Sequence, residues 1–393
     1  MTKLISISAD RNIFEEGSAV RARQIEYGKL FDELHIIIFS KKFLGLPEKS
    51  QIASNVWVYA TNSLSKLFYI KHATKIAGDI IKKNNFSSEN SVVTVQDPFE
   101  TGLVGLNLKK KFGLPLHVQI HTDFLAPNFA KQSFLNGLRV KVAKKLLPKA
   151  DGVRVVSRRI LDSLNSLNRQ GSLSGLSFAP GVVPAVLPIF VDIKKIEEAP
   201  VNLDLKSKYP QFNFIILIAS RLTSEKNIPF AISLFSKLLN VYSRIGLVIV
   251  GSGPEEGMLK ALVRRLKLQK SVIFEPWQND LASYYKTANL FLLTSNYEGY
   301  GLTLAEAVIS HCPVVSSDVG IAPELLRGGQ TSPICPVGDM ECFFNQISNL
   351  IENPGVREQV IHEVYDRLDQ VVIFDKKEYL EKYQKGIVET KIR

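Results

Sequence analysis

Glu298 and Glu306 lie in one short run, SNYEGYGLTLAEA at 295–307, with seven residues between them. An apolar stretch, 289–293, leads in, and an apolar-periodic helix candidate follows. Gly299 and Gly301 permit a tight strand-to-helix turn. Glu298 then falls at the carboxyl end of a strand and Glu306 in the first turns of a helix. That edge of an open α/β sheet is where ligands bind. Carboxylates only accept hydrogen bonds, so such a pair suits a ligand rich in hydroxyls. A surface acid beside a helix salt-bridge acid is the plainer alternative. Arg221 and Lys226 follow another apolar run, 214–219, and place two cations at a second carboxyl edge. Together they could hold a diphosphate, the guanidinium as a fork and the ammonium as a point charge; ordinary surface cations are the alternative. Gly251-Ser252-Gly253-Pro254 follows a third run and opens a helix, where backbone amides favour an anion. A lone Gly-x-Gly is also a common turn.

These residues need a scaffold of alternating strands and helices, and the chain supplies one. Strand candidates are 4–9, 34–39, 56–60, 92–96, 116–120 and 153–156, then 214–219, 247–250, 272–274, 290–293 and 314–316. Amphipathic stretches such as 229–239 and 255–266 lie between them. The rhythm predicts βα units and a parallel sheet in each half. A stretch of weak periodicity at 191–209 reads as the linker, and 375–388 as a closing amphipathic helix.

At 393 residues, with 45% hydrophobic and 22% charged residues, the chain reads as an ordinary soluble globular protein of two domains. No stretch approaches the ~18 apolar residues of a membrane span, and the N-terminus reads as a first strand rather than a signal peptide. Cys312, Cys335 and Cys342 stand at no metal-ligand spacing and are expected as reduced thiols in a cytosolic protein. The net charge of +11 is unevenly placed: residues 1–195 carry 28 Lys and Arg against 15 Asp and Glu, and the remainder 21 against 23. A basic half attracts phosphates, whether of nucleic acid, anionic lipid or a phosphorylated substrate. Within it, 131–149 interleaves Lys131, Arg139, Lys141, Lys144, Lys145 and Lys149 with apolar residues at helical spacing. That is the pattern of a basic helix lying on an anionic membrane, or of a packed helix with a solvated basic face.

Taken in order, Arg221 with Lys226, the Gly251–Pro254 turn, the Glu298/Glu306 segment and the strand exit at 313–320 resemble the second domain of retaining glycosyltransferases of family 4. The resemblance is close over 214–340 and looser elsewhere. It implies the GT-B architecture: two Rossmann-like domains facing across a cleft, here an acceptor domain at 1–192 and a nucleotide-sugar domain at 193–374, with a C-terminal helix at 375–393 returning to the first. By the same resemblance Arg221 and Lys226 neutralise the diphosphate leaving group and Glu298 holds donor-sugar hydroxyls. Glu306 would hold the ribose, and Leu302 and Thr303 offer backbone amides to the phosphate. Gly251 and Ser252 belong to the donor site. Base contacts fall near Pro276, where Glu275-Pro276-Trp277 stands in place of the usual glycine and leaves the base open. In the first half, Gly17 matches the loop covering the donor phosphate, and His121 the histidine beside the donor sugar. Asp97 and Asp123 could bind acceptor hydroxyls, although Asp97 could equally cap the following turn.

The expectation is therefore a retaining hexosyltransferase that takes its sugar from a nucleotide-diphosphate donor and uses no cofactor. Without an Asp-x-Asp motif it would work without a metal, Arg221 and Lys226 stabilising the leaving charge. Its acceptor would be a glycan or a lipid-linked hydroxyl, as in cell-surface glycan or glycolipid synthesis. It would act in the cytoplasm, or peripherally on the inner face of the cytoplasmic membrane, with no nucleic-acid partner. Two alternatives stay open: a sugar-nucleotide epimerase of the same fold, and a non-catalytic basic protein that binds membrane or RNA.

Overall fold

A computed structural model of the chain describes residues 2–169, 178–328 and 331–391, and divides it into two compact units. The first comprises Met1–Leu125, Ser133–Leu187 and Lys377–Arg393; the second comprises Ala126–Gln132 and Pro188–Lys376.

The first unit is built on strands β1 (Lys3–Ser8), β2 (Glu33–Ile38), β3 (Lys49–Ala53), β4 (Val56–Ala60), β5 (Ser91–Val95), β6 (Leu116–Ile120), β7 (Gly152–Val155) and β8 (Ala185–Val186), in the order β3-β4-β2-β1-β5-β6-β7-β8. Every pairing is parallel except β3 with β4. The central strands are buried end to end, as in β5 and β6, because helices cover both faces of a parallel sheet. The chain leaves β1 first to one side and then returns to β5 on the other. The gap between β1 and β5 is thus a topological switch point.

Helix Lys376–Val388 closes this unit through Tyr379, Tyr383 and Ile387. Tyr383 stacks on Tyr27, ring centroids 4.4 Å apart. A buried guanidinium ties the helix to the sheet: Arg154 donates to Gln119 Oε1 at 2.9 Å, to Leu187 O at 3.1 Å and to the Tyr379 hydroxyl at 3.1 Å. These three neutral acceptors offset part of the cost of burying the charge.

The second unit carries β9 (Phe214–Ala219), β10 (Ile245–Val250), β11 (Val272–Glu275), β12 (Leu290–Leu293), β13 (Val314–Ser317) and β14 (Ile334–Cys335), all parallel, in the order β11-β10-β9-β12-β13-β14. Here the order reverses between β9 and β12.

Two expectations are corrected. The basic stretch 131–149 is not one helix. Helix Pro127–Gln132 ends before Ser133, whose hydroxyl accepts from Asn136 N at 3.1 Å and starts a new helix, Phe134–Leu146. A serine N-cap is a strong helix start, and it sets Lys131 apart from the lysines that follow. The cysteines are not all reduced: Cys335 and Cys342 form a disulfide, because β14 and the first turn of helix Met340–Glu352 come together, and only Cys312 is free and buried. The stretch 191–209, read as the linker, carries short helices Ile193–Glu197 and Leu205–Lys208, capped by Asp192 and Asp204.

Candidate active site

The switch point of the second unit gathers the residues singled out by type and spacing. The chain leaves β9 through Ser220 and Arg221, and a short turn, Ser224–Lys226, precedes helix Ile228–Leu239. It leaves β12 through Thr294 to Glu298. The two loops are laced together. Thr294 Oγ1 donates to Lys226 O at 3.0 Å, and Asn296 N donates to Glu225 O at 2.7 Å. Lys226 Nζ lies 2.5 Å from Glu298 Oε1, both side chains about seven-eighths buried, and Ser295 Oγ donates to the same oxygen at 2.7 Å. Lys226 and Glu298 are therefore one site.

Arg221 is held differently. Its side chain is 67% exposed and its guanidinium donates to Glu225 Oε1 at 3.2 Å. Glu225 also accepts from Thr223 Oγ1 at 2.6 Å, which fixes that carboxylate. The fork of Arg221 is thus anchored at one nitrogen and open to solvent. Glu225 was missed in the sequence; its signal was the i,i+4 spacing from Arg221.

Beside these loops, the turn after β10 runs hard against the loop after β9. Leu222 N donates to Ser252 O at 2.9 Å, and Gly251 N to Glu275 O at 3.1 Å. Gly251 has φ +147°, and a Cβ there would collide with the Ser220 carbonyl oxygen. Only glycine fits, so this Gly-x-Gly is more than a common turn. Gly301 (φ +100°) caps helix Leu302–Ile309 with no side-chain hydrogen bond. Among the described residues the amides of Leu302 and Thr303 have no backbone acceptor, the first donation in that turn being Leu304 N to Gly301 O at 3.0 Å. These are the free donors of a helix N-terminus.

Glu306 sits one turn further along. Burial pushes its carboxyl up to about 7, partly offset by the Tyr285 hydroxyl, which donates to Glu306 Oε2 at 3.2 Å. Pro276 and Trp277 are exposed beyond β11, whereas Glu275 turns inward and is held by Lys208 and Tyr209.

The remaining candidates lie on the first unit. His121 follows β6, and its imidazole is pushed down to about 3, chiefly by burial and then by the charges of Arg154 and Arg23. It is neutral at ordinary pH, and its Nε2 has no hydrogen-bond partner among the described residues. Gly17 (φ +77°) has open space around it and precedes Ser18, the N-cap of helix Ala19–Gly28. Asp97 does cap its turn: Oδ1 accepts from Phe99 N at 2.7 Å and Thr101 N at 3.3 Å. Burial raises its pKa against those bonds. Asp123 is buried and accepts from Ser163 Oγ at 3.2 Å, with Arg159 at 3.8 Å. Among the described residues no cluster of His, Cys, Asp or Glu could hold a metal ion.

A parallel sheet with its cationic and acidic loops at the switch point, and a glycine turn beside them, defines a class. Residues 204–367 match the family model described as Glycosyl transferases group 1. The chain is 28% identical over 236 residues to the alpha-monoglucosyldiacylglycerol synthase of Streptococcus pneumoniae, over 57% of this chain and 51% of the relative. It thus spans about half the length of that curated relative, and 41% of an N-acetyl-alpha-D-glucosaminyl L-malate synthase of Bacillus anthracis. Among solved structures, the sucrose-phosphate synthase from Thermosynechococcus elongatus superposes with a TM-score of 0.76 at 17% identity, over 98% of both chains. HepE from Anabaena, solved with UDP and glucose, gives a TM-score of 0.72 at 19% identity, over 99% of this chain and 100% of that one. The fold class is GT-B, with two Rossmann-like α/β units.

Proposed function

We propose that the chain is a retaining glycosyltransferase that moves a hexose from a nucleotide-diphosphate sugar to an acceptor hydroxyl without a metal. The observation that carries this reading is the Lys226–Glu298 pair at the switch point between β9 and β12, flanked by the Gly251 turn and the open fork of Arg221. Lys226 and Arg221 supply fixed positive charge where the leaving diphosphate gains negative charge. Glu298, oriented by Lys226 and Ser295, accepts hydrogen bonds from sugar hydroxyls, and the amides of Leu302 and Thr303 meet a phosphate oxygen. Glu306 takes the ribose. In the transfer step the bond from the anomeric carbon to the diphosphate oxygen breaks, and the acceptor oxygen bonds that carbon from the same face. The acceptor proton passes to the departing phosphate. His121, neutral and with a vacant Nε2, suits a hydrogen bond to the donor sugar better than proton transfer near neutral pH.

A relative named alpha-monoglucosyldiacylglycerol synthase and a neighbour solved with UDP and glucose favour a UDP-linked glucose donor and a lipid acceptor. Helix Phe134–Leu146 fits a lipid acceptor: Phe134, Leu135 and Leu138 are exposed near its start, and exposed Lys141 and Lys145 follow. We place the protein on the cytoplasmic side, peripheral to the membrane's inner face. Among the described residues no helix is long and apolar enough to cross a membrane.

The test is release of free sugar, in the absence of acceptor, from a panel of nucleotide sugars. One donor should be hydrolysed well above the others, and Lys226→Ala and Glu298→Gln should each slow its hydrolysis by roughly 10²-fold. Equal neglect of every donor, with no nucleoside diphosphate bound, would overturn the reading.

A further inference from the structure

We propose that the loops following β2 and β4 form a contact surface for an anionic phospholipid bilayer, separate from helix Phe134–Leu146. Leu67 is 89% exposed, Phe43 77% and Leu64 76%, and Phe68 and Leu44 are exposed beside them. Single exposed apolar residues are ordinary, but several on two adjoining loops are not. The two loops are hydrogen-bonded to each other. Lys42 N donates to Ser63 O at 2.9 Å and Ser63 N to Ser40 O at 2.9 Å. Asn62 N donates to Ser40 Oγ at 2.9 Å, and Asn62 Nδ2 to Leu46 O at 2.8 Å. Asn62, at φ +42°, takes a left-handed turn that asparagine tolerates better than most residues. The polar groups at the base are thus satisfied internally, and the large apolar side chains point outward with nothing described to cover them.

Charge identifies the occupant. Residues 41–49 and 63–71 hold Lys41, Lys42, Lys49, Lys66 and Lys71 against one acid, Glu48. Lys42, Lys66 and Lys71 are exposed, and the Lys41 ammonium lies 5.4 Å from the Phe43 ring centroid. Apolar tips ringed by ammonium groups match acyl chains beneath anionic headgroups, each component adding to the other. Topology supports the placement. β2, β4 and β6 are parallel, so their exit loops share one sheet edge, with β4 and β6 four strand spacings, about 19 Å, apart. Helix Phe134–Leu146 lies between β6 and β7 in the chain and returns across the sheet, so its exposed start lies toward the same edge. A bilayer would therefore meet this edge at two places.

The experiment is co-sedimentation of the full chain with vesicles of equal parts phosphatidylglycerol and phosphatidylcholine at low salt. The parent should bind these and not pure phosphatidylcholine. F43S/L64S/L67S, which keeps every charge, should bind more than about tenfold more weakly, and K42E/K66E likewise, with thermal midpoint and UDP affinity unchanged. L67W should shift its emission to the blue on phosphatidylglycerol vesicles. Four results would overturn the proposal: a parent that ignores these vesicles, a triple variant that binds like the parent, no shift in L67W, or a lipid-free dimer of the parent that the triple variant disperses. The last would assign the face to a second copy of the chain. Vesicle binding is read without sugar transfer, so this surface and the glycosyltransferase reading stand or fall separately.

Discussion

Lys226 and Arg221 leave the same strand, but only one is built into the molecule. Lys226 shares a largely buried ion pair with Glu298, whereas Arg221 is two-thirds exposed. Removing one partner of a buried pair strands the other charge, so Lys226→Ala should lower stability by about 3 kcal/mol. Arg221→Ala should change it by less than about 0.5 kcal/mol. Both should cut turnover by roughly 10²-fold, because each contributes to the same leaving-group charge. Urea melts read beside initial rates separate the two effects; a Lys226→Ala variant as stable as Arg221→Ala would show that the pair carries no structural weight. Glu306 yields a pH prediction. Its folded pKa, about 7, lies above its ordinary value, so between roughly pH 4.5 and 7 the folded state binds more protons than the unfolded one. Its contribution is therefore fully favourable below that window and is lost as pH rises through 7. Glu306→Gln keeps an acceptor for Tyr285 and cannot ionise. Its melting temperature relative to the parent should rise between pH 5 and pH 8, and a pH-independent difference would remove Glu306 from the buried, shifted class. The Glu298/Glu306 spacing was legible in the sequence. The Lys226–Glu298 contact was not, because the partners are 72 residues apart and meet only through the reversal of strand order. Asp97 shows the reverse case, a residue read for both acceptor binding and capping whose capping bonds the structure displays.

Elements built from long apolar runs were the readable ones. β9 and β12 announce themselves because a strand buried on both faces reads as a nearly continuous apolar run. The strand β3, KSQIA, escaped notice since it is an antiparallel edge strand with no hydrophobic alternation, and β8 and β14 are only two residues long. Helix Phe134–Leu146 was merged with its predecessor because lysine and leucine spacing continues across Ser133, and only the cap geometry shows the break. The Cys335–Cys342 bridge depended on a return of the chain at 336–339 that no periodicity records. The Gly251 turn gives the prediction at this scale. A Cβ at Gly251 would force apart the backbones after β9 and β10, so Gly251→Ala should cost about 1–3 kcal/mol and disturb the loop bearing Arg221. Gly257, in the first turn of helix Glu256–Arg265, has open space around its Cβ position, and Gly257→Ala should stabilise by about 0.5 kcal/mol. The two alanines differ only in position, so opposite shifts in the denaturation midpoint would mark the turn as sterically closed. Equal shifts would mean the loop yields.

At the scale of the whole chain the charge is divided: residues 1–195 carry thirteen more cations than acids, and the rest carry two more acids than cations. The residues proposed for the donor lie in the nearly neutral part, so on that reading nucleotide binding draws on local charge and the basic excess is left for another anion. Exposed Lys141 and Lys145 with half-buried Lys144, on the helix whose start exposes Phe134, Leu135 and Leu138, are the natural contacts for that anion. Each basic residue at an anionic membrane surface adds about 1 kcal/mol, and salt screens the attraction over ~8–10 Å at physiological strength. Replacing Lys141, Lys144 and Lys145 with Glu reverses three charges at once. Binding to phosphatidylglycerol vesicles should then weaken by about a hundredfold or more, and the parent's own binding should fade as NaCl is raised. Donor hydrolysis should be unaffected, because none of the three residues belongs to the second unit. Loss of hydrolysis together with vesicle binding would mean that these lysines support the fold or the donor site. Vesicle binding that resists both salt and charge reversal would leave the apolar side chains as the sole anchor and the basic excess without a membrane role.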